Sequence, residues 1–248
     1  MKKMKFLIAL LMVVMFRYYT NAQSFIDYNI NPVTAKEFKR LSDTDLFKVL
    51  DVKSDSFNFK KLVFKKQFGS LSKIEKSQLN KHLFFRYAID STKIWVFHYI
   101  DSLVPIASMP KKSYIVYLDD KKMRHKHETS YKDFVKGSKK HSKEFNNNKD
   151  VKFIHFWKAG GQDYPQELLK SLNWYHDSSN FIKRLFSFGV VHFKTQIIYP
   201  NGDYISFYDN KNKVDLKRLI KSKKFVKERQ KHQKIVAKRI GTLSPQFR

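Results

Sequence analysis

One stretch of the chain, Lys93–Asp101, restricts the possible folds more than any other. Successive side chains of a β-strand point to opposite faces of a sheet. Here one set is apolar apart from a histidine and the other is aromatic throughout: Ile94, Val96, His98 and Ile100 against Trp95, Phe97 and Tyr99. A strand with two such faces needs cover on both sides. We therefore expect a central strand of a sheet that carries other elements packed over it.

Strand and helix patterns alternate through the later half of the chain. Val151–Lys158 predicts a second apolar strand, and the helical pattern after it is expected to continue through Trp174. Asn201-Gly202 between apolar runs predicts a β-hairpin. Asp215 is expected to cap a helix over 216–239. This succession predicts an α/β or α+β fold, with a mixed β-sheet, helices packed on it and a long basic C-terminal helix.

The early half gives weaker patterns. Thr34–Leu50 suits one or two short helices, and residues 57–68 predict a strand pair or a bulged strand. Ser72 and Glu75 have the spacing of a capping box, in which each side chain satisfies the other residue's exposed amide. A helix over about 73–88 is expected to follow.

The order of elements from Lys112 to Ile220 resembles a thioredoxin-type arrangement. The aromatic strand around Phe156-Trp157 leads into a turn, and a late hairpin precedes the last helix. Residues such as Gly161 and Tyr164 stand where that family carries its redox cysteines, and Lys194 stands where it usually has proline. The resemblance implies a cysteine-less, thioredoxin-like scaffold protein in which dithiol chemistry is impossible.

The first 22 residues have the three-part layout of a secretory signal peptide. Three lysines precede the uncharged apolar run Phe6–Phe16, and a polar stretch ends at Ala22. A membrane-spanning helix needs about 20 apolar residues, so this run is too short. We expect cleavage near Ala22 and a periplasmic or secreted protein; the alternative is an uncleaved membrane anchor.

The chain contains no cysteine. This excludes a lipidated cysteine, disulfides, thiolate metal ligands and thiol catalysis, so the fold depends on its hydrophobic core. Residues 23–248 are long enough for one globular domain, since chains of this size bury roughly 70% of their unfolded surface. A division into an N-terminal subdomain, 23–110, and a core, 111–248, is the alternative. No second candidate membrane span follows the leader.

The formal net charge of +28 indicates attraction to polyanions. Four of these charges lie in the first 22 residues, which leaves +24 on residues 23–248. Only nine of the fifty basic residues are arginine, the side chain that suits bidentate readout of bases and phosphates. We therefore expect a non-enzymatic protein that engages an envelope polymer, lipid headgroups or nucleic acid without sequence specificity. The alternative is a lysine-rich surface with no partner.

Half of this positive charge lies in residues 211–248, which contain fourteen Lys and Arg and only two acidic residues. Residues 227–234 contain no apolar side chain, so this part of the helix is expected to project into solvent. The candidate anion-binding residues here are Lys217, Arg218, Lys221, Lys223, Lys224, Lys227, Arg229, Lys231 and Lys234.

A second candidate anion site is the turn at Gly160-Gly161, with Lys158 beside it. Free amides at the carboxyl end of a strand, followed by a helix start, favour an anionic ligand. Two glycines before a helix are more often an ordinary tight connection.

Histidines supply the remaining chemical candidates. His98, His155 and His192 occupy strand positions and could converge, and a histidine pair can perform general acid–base cleavage of a phosphodiester. This supports the alternative of an exported nuclease-like hydrolase or toxin, which incubation with plasmid DNA and RNA, with and without a chelator, tests. His125 and His127 could share one strand face as metal ligands, but no third ligand is identifiable. We predict no metal and no cofactor.

Overall fold

The computed structural model describes residues 24–53, 58–118, 125–188, 191–209 and 213–240. They form two compact units that divide between Lys65 and Lys66. The expected signal peptide, residues 1–22, lies outside the described residues, so export stays a prediction. No helix within the described ranges is long and apolar enough to cross a membrane.

The first unit is a three-stranded sheet with one helix. Strand β1 (Ser24–Ile26) pairs in parallel with β3 (Asn58–Phe64), and β3 pairs antiparallel with β2 (Phe47–Lys53). Helix α1 (Ala35–Ser42) begins after Thr34, whose Oγ accepts a hydrogen bond from the Glu37 amide. The expectation of helix as far as Leu50 is wrong beyond Ser42, because residues 47–53 pair along the full length of β3.

The second unit is built on a six-stranded sheet. Its strands, in spatial order, are β4 (Lys66–Ser70), β13 (Asp203–Phe207), β12 (Thr195–Ile198), β5 (Ile94–Ser102), β8 (Val151–Ala159) and β9 (Trp174–His176). Strands β5, β8 and β9 are parallel, and the other neighbouring pairs are antiparallel. The sheet is therefore mixed, and β5 lies inside it, as the sequence predicts. Residues on both sides of position 110 share this sheet.

Two smaller sheets accompany it. One pairs β6 (Tyr114–Tyr117) with β7 (His125–Glu128), and the other pairs β10 (Ser187–Phe188) with β11 (Val191–His192). A short 3-10 helix spans Ile106–Ser108. The helices of this unit are α2 (Lys73–Tyr87), α3 (Tyr131–Asn146), α4 (Gln166–Ser171), α5 (Phe181–Leu185), α6 (Lys213–Ile220) and α7 (Ser222–Ile240).

Local signals predicted two of these features correctly. The Ser72 amide donates to the Glu75 carboxylate at 2.8 Å while Ser72 Oγ accepts from the Glu75 amide at 3.2 Å, which is the expected capping box. The turn at Gly202, whose φ of +96° favours glycine, joins β12 to β13 and sets Ile198 opposite Tyr204.

Two predicted helices are different in the structure. Trp174 begins strand β9 because its neighbour in the sheet, His155, fixes it in a parallel register. The C-terminal helix is divided: α6 ends at Ile220, and the Lys224 and Phe225 amides donate to the Lys221 carbonyl, which starts α7. Asp215 lies inside the first turn of α6 and does not precede it.

Helices cover both faces of the six-stranded sheet. We call the face that carries Val96, Phe153 and Ile197 the first face; α3, α6 and α7 contribute side chains to its core cluster. The second face carries Trp95, Phe97 and Ile154 and packs against α2 and α5. Strand β8 leads into a turn and α4, and the hairpin β12–β13 precedes the terminal helices; the thioredoxin resemblance over 112–220 stays a prediction.

Candidate functional site

Three helices carry basic residues over the first face of the sheet. Phe145 of α3, Leu219 of α6 and Phe225 of α7 are buried in one cluster with Val96 and Phe153. The Phe145 and Phe153 rings stack with centroids 4.7 Å apart. Because all three helices bury their apolar sides in the same cluster, their polar sides face solvent on the same side of the six-stranded sheet.

Helix α7 lies against the sheet along the part that was expected to project. Phe225 packs 4.5 Å from the Tyr199 ring and 5.5 Å from the Phe68 ring. Two helical turns after Phe225, His232 is buried with its ring centroid 5.2 Å from that of Phe68. Val236, one turn further along, is also buried. The prediction that residues 227–234 project is wrong. The position that faces the sheet in this segment is occupied by His232 rather than by an apolar residue, so the sequence showed no buried side there.

Arg229 differs from the other basic residues of α7. Its guanidinium donates to Asp203 at 3.0 Å and to Ser70 at 3.3 Å. The neighbouring Glu228 pairs with Lys66 at 3.3 Å. These contacts attach α7 to β4 and β13. Arg229, which the sequence suggested as an anion-binding residue, is therefore paired with the Asp203 carboxylate of the chain itself.

The lysines of α7 form a stripe on its outer side. Successive spacings of four, four, three and four residues place them on one side of a helix, and all are exposed: Lys223, Lys227, Lys231, Lys234 and Lys238. No ion pair joins them to a carboxylate of the described residues. Lys217, Arg218, Lys221 and Lys224 are exposed beside this stripe.

Helix α3 adds a second stripe that the sequence analysis missed. Its exposed lysines are Lys132, Lys136, Lys139, Lys140 and Lys143. Their spacing of three and four residues is visible in the sequence and would have revealed a second basic helix side. We call the exposed lysines and arginines of α3, α6 and α7 the basic face. Its members share one side of the sheet.

Beneath α3, the strand register joins two of the predicted histidines. His98 on β5 lies opposite His155 on β8, and their Nδ1 atoms are 2.9 Å apart. We call these two residues the histidine pair. His155 is only 3% exposed and stacks on Trp174 with ring centroids 4.1 Å apart. His141 of α3, which the sequence analysis did not select, lies parallel to it at 6.4 Å.

The surroundings of the histidine pair keep His155 neutral. Burial, followed by the proximity of His98 and His141, lowers the pKa of His155 well below its ordinary value of 6.5. One Nδ1 must donate a proton and the other must accept it. No hydrogen-bond partner among the described residues contacts His155 Nε2. The two Nδ1 atoms satisfy each other, and His155 offers no solvent-facing nitrogen to a substrate.

The third predicted histidine belongs to a strand outside the six-stranded sheet. His192 lies on β11, which pairs with β10 in a different sheet. His125 and His127 of β7 do share a strand face, with ring centroids 5.1 Å apart. Within the described residues, no group of three histidine, cysteine or acidic side chains is arranged to hold a metal ion. The hydrolase alternative stays a prediction.

Packing accounts for the Gly160-Gly161 turn. Both glycines have positive φ, and a Cβ on Gly160 would lie 2.4 Å from the Leu103 carbonyl oxygen. Trp157 Nε1 donates to the Gly160 carbonyl at 3.2 Å. Lys158 is half-buried, and the helix after the turn has only six residues. The ordinary tight connection explains both glycines, and anion binding here stays a prediction.

Acid should destabilise the protein through His232. Burial, assisted by Lys66, lowers the pKa of His232 from 6.5 to about 4. Between these two pH values the unfolded chain binds the proton and the folded chain does not, so the free energy of unfolding falls as the pH falls, by roughly 3 kcal/mol in all.

Urea titrations at about pH 7 and about pH 4.5 should show a smaller pH effect in His232→Gln than in the wild type. Gln233→Ala, at an exposed position of α7 and without a titratable group, should keep the wild-type effect; equal pH effects in all three proteins would contradict the assignment.

No protein-family model, curated protein or solved structure matches this chain. The histidine pair and the basic face are the two arrangements of polar residues from which a function can follow. His155 is buried against Trp174 and His98 is half-buried, whereas the lysines of the basic face are exposed to solvent. The basic face therefore offers a partner the larger set of accessible polar groups.

Proposed function

We propose that the protein is an exported, non-enzymatic protein that binds a multivalent anionic partner through the basic face. One observation carries the proposal: two lysine stripes, on α3 and α7, lie on the same side of one sheet and point into solvent. The leader pattern of residues 1–22 supports the export part. Anionic envelope polymers, lipid headgroups and nucleic acids share the repeated negative charges that such a surface attracts.

The kind of side chain on the basic face also favours a partner with many charges. An ammonium group on a flexible stem acts as a solvated point charge, and each single contact is weak. Several lysines acting together on closely spaced anions release counterions and bind strongly. The burial of Phe225 and Val236 fixes α7 on the sheet, so its lysine stripe keeps one orientation toward solvent.

Salt dependence tests this proposal. Binding to heparin, duplex DNA and anionic vesicles should fall about 1,000-fold between roughly 50 mM and roughly 200 mM salt, as expected for six or more phosphate-like contacts. Fluorescence anisotropy and vesicle sedimentation measure the three affinities, and their ranking identifies the source of the anions. Affinities that do not change with salt, or no binding to any of the three at low salt, would overturn the proposal.

Truncation of the C-terminus is a poor substitute for that experiment. A chain ending after Lys223 would lose Phe225 and His232, which cover Phe68 and Tyr199. Loss of binding would then reflect loss of the fold. Substitutions on the outer side of α7 leave these contacts in place.

A further inference from the structure

The hairpin formed by β6 and β7 exposes apolar side chains on both of its faces. Tyr114 is 54% exposed, Ile115 45%, Tyr117 51% and Leu118 58%. Within the described residues, the two strands pair only with each other and do not extend the six-stranded sheet. An isolated two-stranded hairpin is marginal in water, and a cluster of exposed apolar groups generally marks an interaction surface. We call the described residues of these two strands, 114–118 and 125–128, the apolar hairpin.

Cationic and titratable side chains lie directly across from these apolar residues. The register sets Tyr117 opposite His125, Ile115 opposite His127 and Val116 opposite Lys126. Lys126 is paired with Glu128 at 2.7 Å. The hairpin thus combines apolar groups on one strand with polar, partly basic groups on the other.

Hydrogen bonds attach the apolar hairpin to one end of the basic face. Ser130, the residue that caps α3, donates its amide to Ser113 Oγ at 2.9 Å, and Ser113 Oγ donates to the Asp133 carboxylate at 2.5 Å. These residues lie at the two ends of the hairpin, immediately before β6 and just after β7. The apolar hairpin therefore begins and ends where the lysine stripe of α3 begins.

We propose that the anionic partner is a lipid bilayer, and that the apolar hairpin inserts into its interface while the basic face contacts the headgroups. This inference rests on the proposed function and specifies its partner. Tyrosine is favoured at the membrane–water interface, where its ring is apolar and its hydroxyl is hydrated. Ile115 and Leu118 would contribute little free energy to the binding of a nucleic acid or an acidic polysaccharide, because these partners have charges but no hydrocarbon phase in which apolar side chains can be buried. Insertion combined with charge attraction gives the two signals that stable membrane attachment needs.

A single introduced cysteine can report the environment of the apolar hairpin, because the chain has none of its own. Tyr117→Cys carries a polarity-sensitive fluorophore, and Lys81→Cys, exposed on α2 over the second face, is the matched control. The vesicles contain equal parts of phosphatidylglycerol and phosphatidylcholine, or phosphatidylcholine alone. On the anionic vesicles, we expect a blue shift of the label at position 117 and quenching by nitroxide on the acyl chains. The label at position 81 should not respond.

Substitutions provide the second measurement. Ile115→Ser with Leu118→Ser should weaken binding to the anionic vesicles roughly 10-fold, since full burial of two such side chains contributes more than a tenfold gain in affinity and insertion into the interface buries them in part. Binding to heparin should be unchanged, which also shows that the variant is folded. The matched control, Ile74→Ser with Phe85→Ser, removes two exposed apolar side chains from α2 and should bind vesicles as the wild type does.

The possible outcomes separate the two proposals. If vesicles bind in a salt-dependent way but the label at position 117 stays in water, insertion is wrong and the proposed function stands. If heparin or DNA binds and vesicles do not, the partner is another polyanion and the bilayer proposal is overturned. If none of them binds at low salt, both proposals fail.

Discussion

Replacing Lys223, Lys227 and Lys231 by glutamine should weaken binding to anionic vesicles roughly 100-fold, because each lysine near such a surface contributes about 1 kcal/mol. All three point into solvent from the outer side of α7, and no carboxylate of the described residues pairs with them. Glutamine keeps a good helix former with a long side chain, so the fold should be preserved. Vesicle sedimentation at fixed ionic strength measures the loss.

The matched control removes the same charge from the other side of the sheet. Lys73, Lys76 and Lys81 belong to α2, which packs on the second face. Their replacement by glutamine should leave vesicle affinity within about threefold of the wild type, since only the overall charge changes. If both triple variants lose affinity equally, the attraction comes from net charge alone and the basic face has no special role.

Replacing Phe225 by alanine should lower the free energy of unfolding by about 3–4 kcal/mol, as is usual for a large aromatic side chain lost from a core. The ring is buried between Phe68 and Tyr199, and its loss would leave a cavity beneath α7. Urea denaturation followed by circular dichroism measures the change.

The adjacent Val226 provides the comparison within the same turn of the helix. Its side chain is exposed, so Val226→Ala should change stability by no more than about 0.5 kcal/mol. A helix projecting into solvent would give small effects at both positions. That result would contradict the packing of α7 on the sheet and, with it, the fixed orientation of the lysine stripe.

The features that sequence predicted correctly depend on local physical chemistry. The capping box at Ser72 and the turn at Gly202 are each decided by a few neighbouring residues. The central position of β5 follows from its two apolar faces alone. The local pattern could not reveal β9, because a three-residue strand starting at Trp174 is defined by its pairing with β8 rather than by its own sequence.

The candidate site depended on information that no local pattern contains. His98 and His155 meet only because β5 and β8 are adjacent and in one particular register, which the sequence left open. The inward position of His232 was hidden because polar residues normally mark the solvent side of a helix. The lysines of α3 had a visible spacing, but their placement over the same face of the sheet as α7 depends on which face each helix covers.

The pairing of β4 with β13 has a consequence for how the chain reaches this fold. Ser70 lies opposite Asp203, so the edge of the sheet joins residues from opposite ends of the second unit. Contacts that distant in sequence form slowly, because a long loop must close before they contribute any stability. Residues 66–70 must wait for the hairpin at Gly202 to be synthesised, and α7 can only then pack over Phe68. The second unit therefore folds cooperatively, and the lysine stripe of α7 takes up its orientation over the first face only after residues 203–207 have paired with residues 66–70.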